Sequence, residues 1–97
     1  NVYLSTEQRN DATVLCESLK LAVKIISDGE RNCSHIIDDM KKLISSKQTV
    51  TEIDYISIAK TETLEELEEI APNTKAIISL AVKFGNTRLI DNVIIQS

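Results

Sequence analysis

Apolar residues recur at spacings of three and four through the first third of the chain, which indicates an amphipathic helix. Ser5 with Gln8 three residues later forms a capping box that would start this helix. Gly29 suits the left-handed position that often ends one. The pattern therefore predicts a helix over residues 6–28, whose buried stripe comprises Ala12, Leu15, Leu19, Ala22 and Ile26.

A second stripe predicts a second helix that begins after Asn32, a residue able to cap it. Several lysines fall toward its carboxyl end, where cations suit the helix dipole. The polar segment 45–51 then predicts a loop. The buried positions of this helix are Ile36, Met40, Leu43 and Ile44, and the lysines are Lys41, Lys42 and Lys47.

The second half of the chain has the pattern of a small sheet. Residues 53–59 are rich in β-branched side chains and partly alternate, which predicts a strand. Apolar runs at 76–84 and 89–95 flank Gly85-Asn86, a two-residue hairpin signal. Between the first strand and this hairpin, Thr63 and Glu66 form a second capping box, and Leu64, Leu67 and Ile70 predict a short helix that Pro72 closes.

These elements predict one α+β domain over residues 1–97. We expect a three-stranded, mostly antiparallel sheet with two longer helices and one short helix packed on one face.

Three polar residues, Arg88, Asp91 and Asn92, interrupt the last apolar strand. Residues two apart in a strand share a face, so Arg88 and Asn92 point one way and Asp91 the other. A catalytic cluster of all three is therefore awkward. Hydrogen bonds to loop backbone or to a neighbouring strand, or an Arg88 ion pair, are the favoured roles.

Composition removes several classes of function. Hydrophobic residues make up 42% and charged residues 27% of the 97, as in ordinary globular domains. Aromatic residues make up only 3%, too few for a platform that stacks single-stranded nucleic acid. The net charge of −4 argues against nucleic acid and anionic membrane as partners. No apolar run approaches the ~20 residues that span a bilayer.

The remaining reactive side chains have plain structural explanations. Cys16 and Cys33 are interpreted as reduced thiols of a cytoplasmic protein, with Cys16 as a small core residue. His35 could act as a general base beside Asp38 and Asp39, but a solvated surface residue is the favoured interpretation. The acidic residues of the predicted short helix are interpreted as its solvated face rather than a cation site; they are Glu62, Glu65, Glu66, Glu68 and Glu69. Spacing alone therefore predicts no active site.

Four motifs in the same order carry a family resemblance. They are N-V-Y-L-S at 1–5, D-Y-I-S-I at 54–58, T-L-E-E-L at 63–67 and A-V-K-F-G-N-T-R-L-I-D-N at 81–92. Together they closely resemble the C-terminal domain of the pantothenate synthetase family. The resemblance covers essentially the whole chain, and T-R-L-I-D-N after a glycine turn is its most specific element.

The resemblance implies a two-domain ligase that uses ATP and magnesium, with pantoate and β-alanine as substrates and pantoyl adenylate as intermediate. The missing N-terminal nucleotide-binding domain would carry the chemistry and the homodimer contact. This chain would be a hinged lid, inactive by itself and binding no cofactor alone. The absence of an initiator Met and the strand-like opening at 2–4 fit a piece of a longer protein.

Only Asn1 carries over from the family's phosphate-binding loop, of which it is the last residue; no catalytic or metal-binding residue carries over. Whether Arg88 contacts the other domain stays an open hypothesis. The alternative interpretation is a freestanding α+β interaction module that binds partners through its acidic helix.

Overall fold

Three helices come first along the chain, and three strands follow. The computed structural model describes residues 4–97. The strands lie in the order β1-β2-β3, and each is antiparallel to its neighbour. The predicted α+β class and three-stranded sheet are thus confirmed. The elements are α1 (Thr6–Ala12), α2 (Val14–Ser27), α3 (Cys33–Ser45), β1 (Glu52–Lys60), β2 (Lys75–Phe84) and β3 (Thr87–Gln96).

The predicted first helix is present as α1 and α2, which are separated by the single residue Thr13. The capping box at its start is confirmed, because the Ser5 hydroxyl accepts from the Gln8 N–H and the Gln8 side chain accepts from the Ser5 N–H. The Thr13 hydroxyl donates to the Asn10 carbonyl oxygen at 2.9 Å. Such back-bonding competes with the helical hydrogen bonds and bends helices, which explains the interruption.

The junction between α2 and α3 also follows its sequence signals. Gly29, which follows the C-cap residue of α2, has a φ of +116°, a conformation that side chains disfavour. The Asn32 side chain accepts a hydrogen bond from the His35 N–H at 3.2 Å and caps α3, as predicted. Among the described residues, no helix is both long and apolar enough to cross a membrane.

The core lies between one face of the sheet and the helices. Five alternate residues of β2 point into the core, and each of them is fully buried. The β3 residues that pair with them by register supply the same face. We call this the helix-covered face; β2 contributes Ala76, Ile78, Leu80, Val82 and Phe84, while α2 and α3 contribute Leu15, Leu19, Ala22, Ile26, Ile36, Met40 and Ile44.

A two-residue turn joins β2 to β3, as predicted from Gly85-Asn86. Phe84 pairs with Thr87 across the turn. Of the two loop residues only Gly85 has a positive φ, at +64°, which is the pattern of a type II′ turn. The Gln8 side chain donates to the Phe84 carbonyl oxygen at 3.2 Å, so the start of α1 lies beside this turn.

The predicted short helix at 63–70 is wrong; the short helix of the fold is α1. Residues 61–74 connect β1 to β2 along the chain, and they form turns and isolated β-bridges. Leu64 has a φ of +61°, which a right-handed helix does not allow. The Thr63 hydroxyl accepts from the Glu65 N–H and not from Glu66, so the expected capping box is absent.

Tertiary hydrogen bonds override the helical pattern in this segment. The Leu67 N–H donates to the Ile58 carbonyl oxygen of β1 at 2.9 Å, and the Ile70 N–H donates to the Arg31 carbonyl oxygen at 2.9 Å. The Cys33 N–H in turn donates to the Glu68 carbonyl oxygen at 3.0 Å. Backbone groups that pair with distant segments cannot also make the local bonds of a helix.

The placement of Cys16 in the core is also wrong, because its side chain is exposed on α2. Leu15, Ser18 and Leu19 fill the inward positions of this turn instead. Ser18 is fully buried because its hydroxyl donates to the Leu15 carbonyl oxygen at 2.9 Å. Both cysteines are free thiols, as predicted.

Candidate functional site

The three polar residues of β3 separate as strand parity predicts. Arg88 and Asn92 pair with Lys83 and Ser79 of β2, on the side of the sheet away from the core. Asp91 pairs with Leu80 and points toward the helix side, where its carboxylate accepts from the Asn92 N–H at 2.8 Å. The structure therefore brings Arg88 and Asn92 to one face and leaves Asp91 on the other.

Arg88 is held by two residues of β1. Its Nε donates to the Asp54 carboxylate at 2.7 Å, and its guanidinium carbon lies 5.9 Å from the centre of the Tyr55 ring. Since β2 lies between β1 and β3, the Arg88 side chain crosses the middle strand to make these contacts. The predicted ion pair is confirmed, and a cation–π contact accompanies it.

Asp54 reaches this position because β1 is irregular there. The pairing register between β1 and β2 shifts between Ile53 and Tyr55, which leaves Asp54 as the extra residue of a bulge. Bulges commonly re-aim side chains near functional sites. A second ion pair lies alongside, between the Lys83 ammonium and the Glu52 carboxylate at 3.7 Å. The charges of this cluster are therefore matched in pairs.

The same side of the sheet is apolar beyond these charges. Ile90 is 65% exposed, Ile94 57% and Tyr55 42%, all large values for such side chains. None of the helices of residues 4–97 packs there, since the apolar residues that contact the core belong to the other face. We call this side the open sheet face; it comprises Glu52, Asp54, Tyr55, Ser57, Ala59, Lys75, Ile77, Ser79, Ala81, Lys83, Arg88, Ile90, Asn92, Ile94 and Gln96.

Cross-strand register arranges these residues in five rows, the last of which pairs Lys75 with Gln96 at the end of the sheet away from the hairpin. A charged row lies nearest the hairpin turn, and a first apolar row of Tyr55, Ala81 and Ile90 follows it. A polar row and a second apolar row come next, the former with Ser57, Ser79 and Asn92, the latter with Ala59, Ile77 and Ile94. The Ser57 hydroxyl donates to the Glu66 carboxylate from the 61–74 segment. The face is thus banded rather than uniformly apolar.

Sequence reasoning missed the exposed isoleucines and the partners of Arg88. The available signal was the occurrence of adjacent apolar residues in one strand, Leu89-Ile90 and Val93-Ile94. In a half-buried strand apolar residues alternate with polar ones, so adjacent pairs indicate that both faces are apolar. No local signal marks Asp54, because it meets Arg88 only through the folding of three strands.

His35 lies in the first turn of α3 and is not part of the open sheet face. Its Nδ1 is 3.5 Å from the Glu30 carboxylate, and its side chain is 65% exposed, so the predicted surface placement is confirmed. The expected neighbours Asp38 and Asp39 are not its ion-pair partners. The pKa of Glu30 is lowered, chiefly by the hydrogen bond that its carboxylate accepts from the Asn32 N–H. The Glu30 carboxylate therefore stabilises the start of α3.

Cys33, the first residue of α3, is buried, and this burial raises the pKa of its thiol. The charges of Glu66 and Glu69 raise the pKa further. A thiol held protonated is a poor nucleophile and a poor metal ligand. Within residues 4–97, no three or more Asp, Glu, His or Cys side chains are grouped to hold a metal ion. Asn1, the residue expected to belong to a phosphate loop, lies outside the described residues, as does most of the predicted opening at 2–4.

Comparison with known proteins gives consistent matches along the chain. A family model described as pantoate-beta-alanine ligase matches residues 1–94. The pantothenate synthetase of Syntrophomonas wolfei is 46% identical over 96 residues, which are 99% of this chain and 33% of that protein. The pantothenate synthetase of Caldicellulosiruptor saccharolyticus is 43% identical over the same share of each.

A crystal structure of pantothenate synthetase from Thermus thermophilus superimposes with a TM-score of 0.79 at 29% sequence identity. The match covers 96% of this chain and 32% of that one. The chain thus spans about a third of the length of the curated relatives that it matches.

Proposed function

Because this chain belongs to the pantoate-beta-alanine ligase family, we propose that it is the C-terminal domain of a ligase that joins pantoate and β-alanine. One observation carries the proposal: the family match runs from residue 1 to residue 94, while the matched relatives are about three times as long. A chain that corresponds to one third of an enzyme is expected to supply one part of its machinery.

In the proposed reaction, the pantoate carboxylate attacks the α-phosphorus of ATP and releases pyrophosphate. The amine of β-alanine then attacks the carbonyl carbon of pantoyl adenylate, and AMP leaves. AMP is a far better leaving group than oxide, which is why the carboxylate is activated first. Both steps belong to the N-terminal nucleotide-binding part of the parent enzyme, together with ATP and its magnesium.

The described residues do not fit a magnesium site, since they contain no cluster of ligating side chains. No step of the reaction is therefore assigned to them. The proposed contribution of this domain is that of a lid: it closes over the nucleotide site and keeps water from the reactive adenylate. Closure of this kind protects labile intermediates in general. The proposed parent is a cytoplasmic homodimer joined through its N-terminal domain.

The test is to mix the 97-residue chain with a separately produced N-terminal part of the parent and to follow pyrophosphate release from ATP and pantoate. We expect the 97-residue chain alone to release no pyrophosphate above background, and the mixture to release it. Release by the 97-residue chain alone would contradict the proposal. Failure of the two pieces to associate at high concentration would favour the freestanding interaction module.

A further inference from the structure

The strand β3 lies at one edge of the sheet, and the two edges differ in how they are protected. β2 pairs with one side of β3, and no strand of the described residues pairs with its other side. At the opposite edge, Ala59 of β1 forms a bridge with Glu66. There the Leu67 N–H also donates to the Ile58 carbonyl oxygen. An unprotected edge strand is a template for pairing with another chain.

The backbone groups on the free side of β3 belong to its even-numbered residues. Phe84 pairs with Thr87 across the two-residue turn, and the two residues of such a closing pair bond to each other. Bonded and non-bonded pairs alternate along an antiparallel ladder, so odd-numbered residues of β3 bond to β2. The Ser97 N–H, which donates to the Thr74 carbonyl oxygen at 3.0 Å, continues this alternation. The N–H and C=O groups that point outward are therefore those of Arg88, Ile90, Asn92, Ile94 and Gln96.

We infer that β3 pairs with β3 of a second copy of this chain, antiparallel and about a two-fold axis at Asn92. The contact joins two three-stranded sheets edge to edge and leaves the open sheet face uncovered. Both copies contribute the same edge, so the pairing closes after two copies. The inference goes beyond the proposed function and does not rest on it.

The sequence of β3 is self-complementary about Asn92. An axis there places Ile90 opposite Ile94 of the second copy, on the open side. On the helix side it places Leu89 opposite Ile95 of the second copy. The Asn92 side chain meets its own counterpart, and two amides can donate to and accept from each other. Apolar cross-strand pairs on both faces are contacts that stabilise a sheet.

Other registers of the same two strands match less well. The axis stands perpendicular to the sheet and keeps each face on its own side, so it passes through a residue. An axis at Asp91 would place two carboxylates directly opposite each other, which is destabilising. An axis at Val93 would place Ile94 opposite the polar Asn92. An axis farther from the middle of the strand would shorten the paired length.

The space beside this edge can receive side chains of the second copy. α2 and β3 border two open grooves with volumes of about 450 Å³ and 390 Å³. Val23 and Val93 line both grooves, so the grooves are continuous. Ile26 and Ile95 add apolar surface to one groove, and Leu19 adds it to the other. Strand addition typically combines main-chain bonds with such pockets for alternate side chains.

Asp91 works against this pairing. Its carboxylate accepts a hydrogen bond at 2.8 Å from the Asn92 N–H, which is the outward group at the proposed axis. Pairing has to break this bond, and it brings the Asp91 carboxylates of the two copies near each other beside the axis. The contact is therefore weak and reversible, and removal of this carboxylate strengthens it.

The test measures self-association of the 97-residue chain by sedimentation equilibrium at concentrations up to about 1 mM. We expect a monomer–dimer equilibrium for the wild type. Asn92→Pro removes the central outward N–H at a position where an edge strand tolerates proline, and it should raise the dimer Kd at least about tenfold. Asp91→Ala should lower Kd about three- to tenfold. Tyr55→Ser, the control on the open sheet face, should leave Kd unchanged.

A second measurement uses only the wild-type chain, so it does not depend on the folding of a variant. Amide hydrogen exchange is followed by NMR at low and high protein concentration. The outward N–H groups of Ile90 and Ile94 should exchange more slowly at high concentration. The Val93 N–H, which faces β2, should be equally protected at both.

Three results would overturn the inference. The first is a wild-type chain that stays monomeric at about 1 mM. The second is a dimer that Tyr55→Ser weakens and Asn92→Pro leaves intact, because the copies would then meet through the open sheet face. The third is exchange at Ile90 and Ile94 that does not change with concentration. None of these results bears on the proposed ligase function, which pyrophosphate release tests separately.

Discussion

Both faces of the sheet carry large apolar side chains, and the two faces differ in what covers these side chains. Ile78 on the helix-covered face is fully buried, whereas Ile90 on the open sheet face is 65% exposed. Both are isoleucines in strands that pair with each other. Burial of such a side chain is worth roughly 1.5–3 kcal/mol. The helix-covered face therefore stabilises the fold, while the open sheet face holds apolar area that contributes little to the isolated domain.

The difference between the faces also explains the polar residues of β3. On the helix side, Asp91 lies at the exposed edge strand and bonds to its own neighbour. On the open side, Arg88 is anchored by Asp54 and stacked near Tyr55. β3 thus contributes polar side chains to both faces of the sheet, because successive side chains of a strand alternate between the faces.

The sharpest test of this comparison is a matched pair of truncations. Ile78→Ala should lower the free energy of unfolding by about 2–5 kcal/mol, because it leaves a cavity in the core. Ile90→Ala should cost less than about 1 kcal/mol, as for other exposed positions. Urea unfolding of both variants followed by circular dichroism measures the difference. Equal costs would show that the open sheet face is covered in the isolated chain.

A smaller effect is expected at the turn that sets the register of the two faces. Gly85→Ala should destabilise the chain by about 1–2 kcal/mol, because a side chain disfavours positive φ. The new Cβ would also lie 3.2 Å from the Gln8 side-chain nitrogen. Asn86→Ala is the control and should be milder. Thermal unfolding checks both, and a nearly neutral Gly85→Ala would refute the assigned turn conformation.

A smaller effect still is expected from the Arg88–Asp54 ion pair. Both side chains are partly exposed, so a double-mutant cycle with Arg88→Ala and Asp54→Ala should give a coupling energy of about 0.2–1 kcal/mol. Added salt should reduce it, as it screens exposed charges. A coupling well above this range would mean that the pair stabilises the core side of the fold and not only the rim of the open sheet face.

The smallest expected effect is a pH dependence of the folding stability, and it arises on the helix side of the molecule. The pKa of Asp11 in α1 is lowered, first by the Thr49 hydroxyl, which donates to its carboxylate at 2.6 Å, and next by the Thr49 N–H. A lowered pKa stabilises the folded state above the unfolded value of about 3.9. That contribution is lost as pH falls through the folded value.

Asp11→Asn should therefore flatten the pH dependence of stability below about pH 4 and reduce stability above it. Unfolding midpoints of wild type and variant, measured between about pH 6 and pH 3, test this. Parallel curves would show that the Thr49 contact does not form in solution.

Much of the fold was predictable because its signals are local. The Ser5 capping box, the Asn32 cap and the Gly85-Asn86 turn each depend on residues within three or four positions of one another. The facing of Arg88, Asn92 and Asp91 follows from strand alternation alone. The candidate site was predictable only to that extent: the ion pair of Arg88 was expected, but not its partner.

The sequence by itself determined the two longer helices, the three strands, most of their inward positions and the family, since these follow from periodicity and from motifs along the chain. Tertiary structure decided the rest. Residues 61–74 do not form the helix that their pattern predicts, because their backbone groups pair with β1 and with the α2–α3 junction. Asp54 meets Arg88 across 34 positions of chain, and Ile90 is left uncovered because all three helices pack on the other face. Contacts between distant segments depend on how the whole chain folds, and no local pattern of residues contains this information.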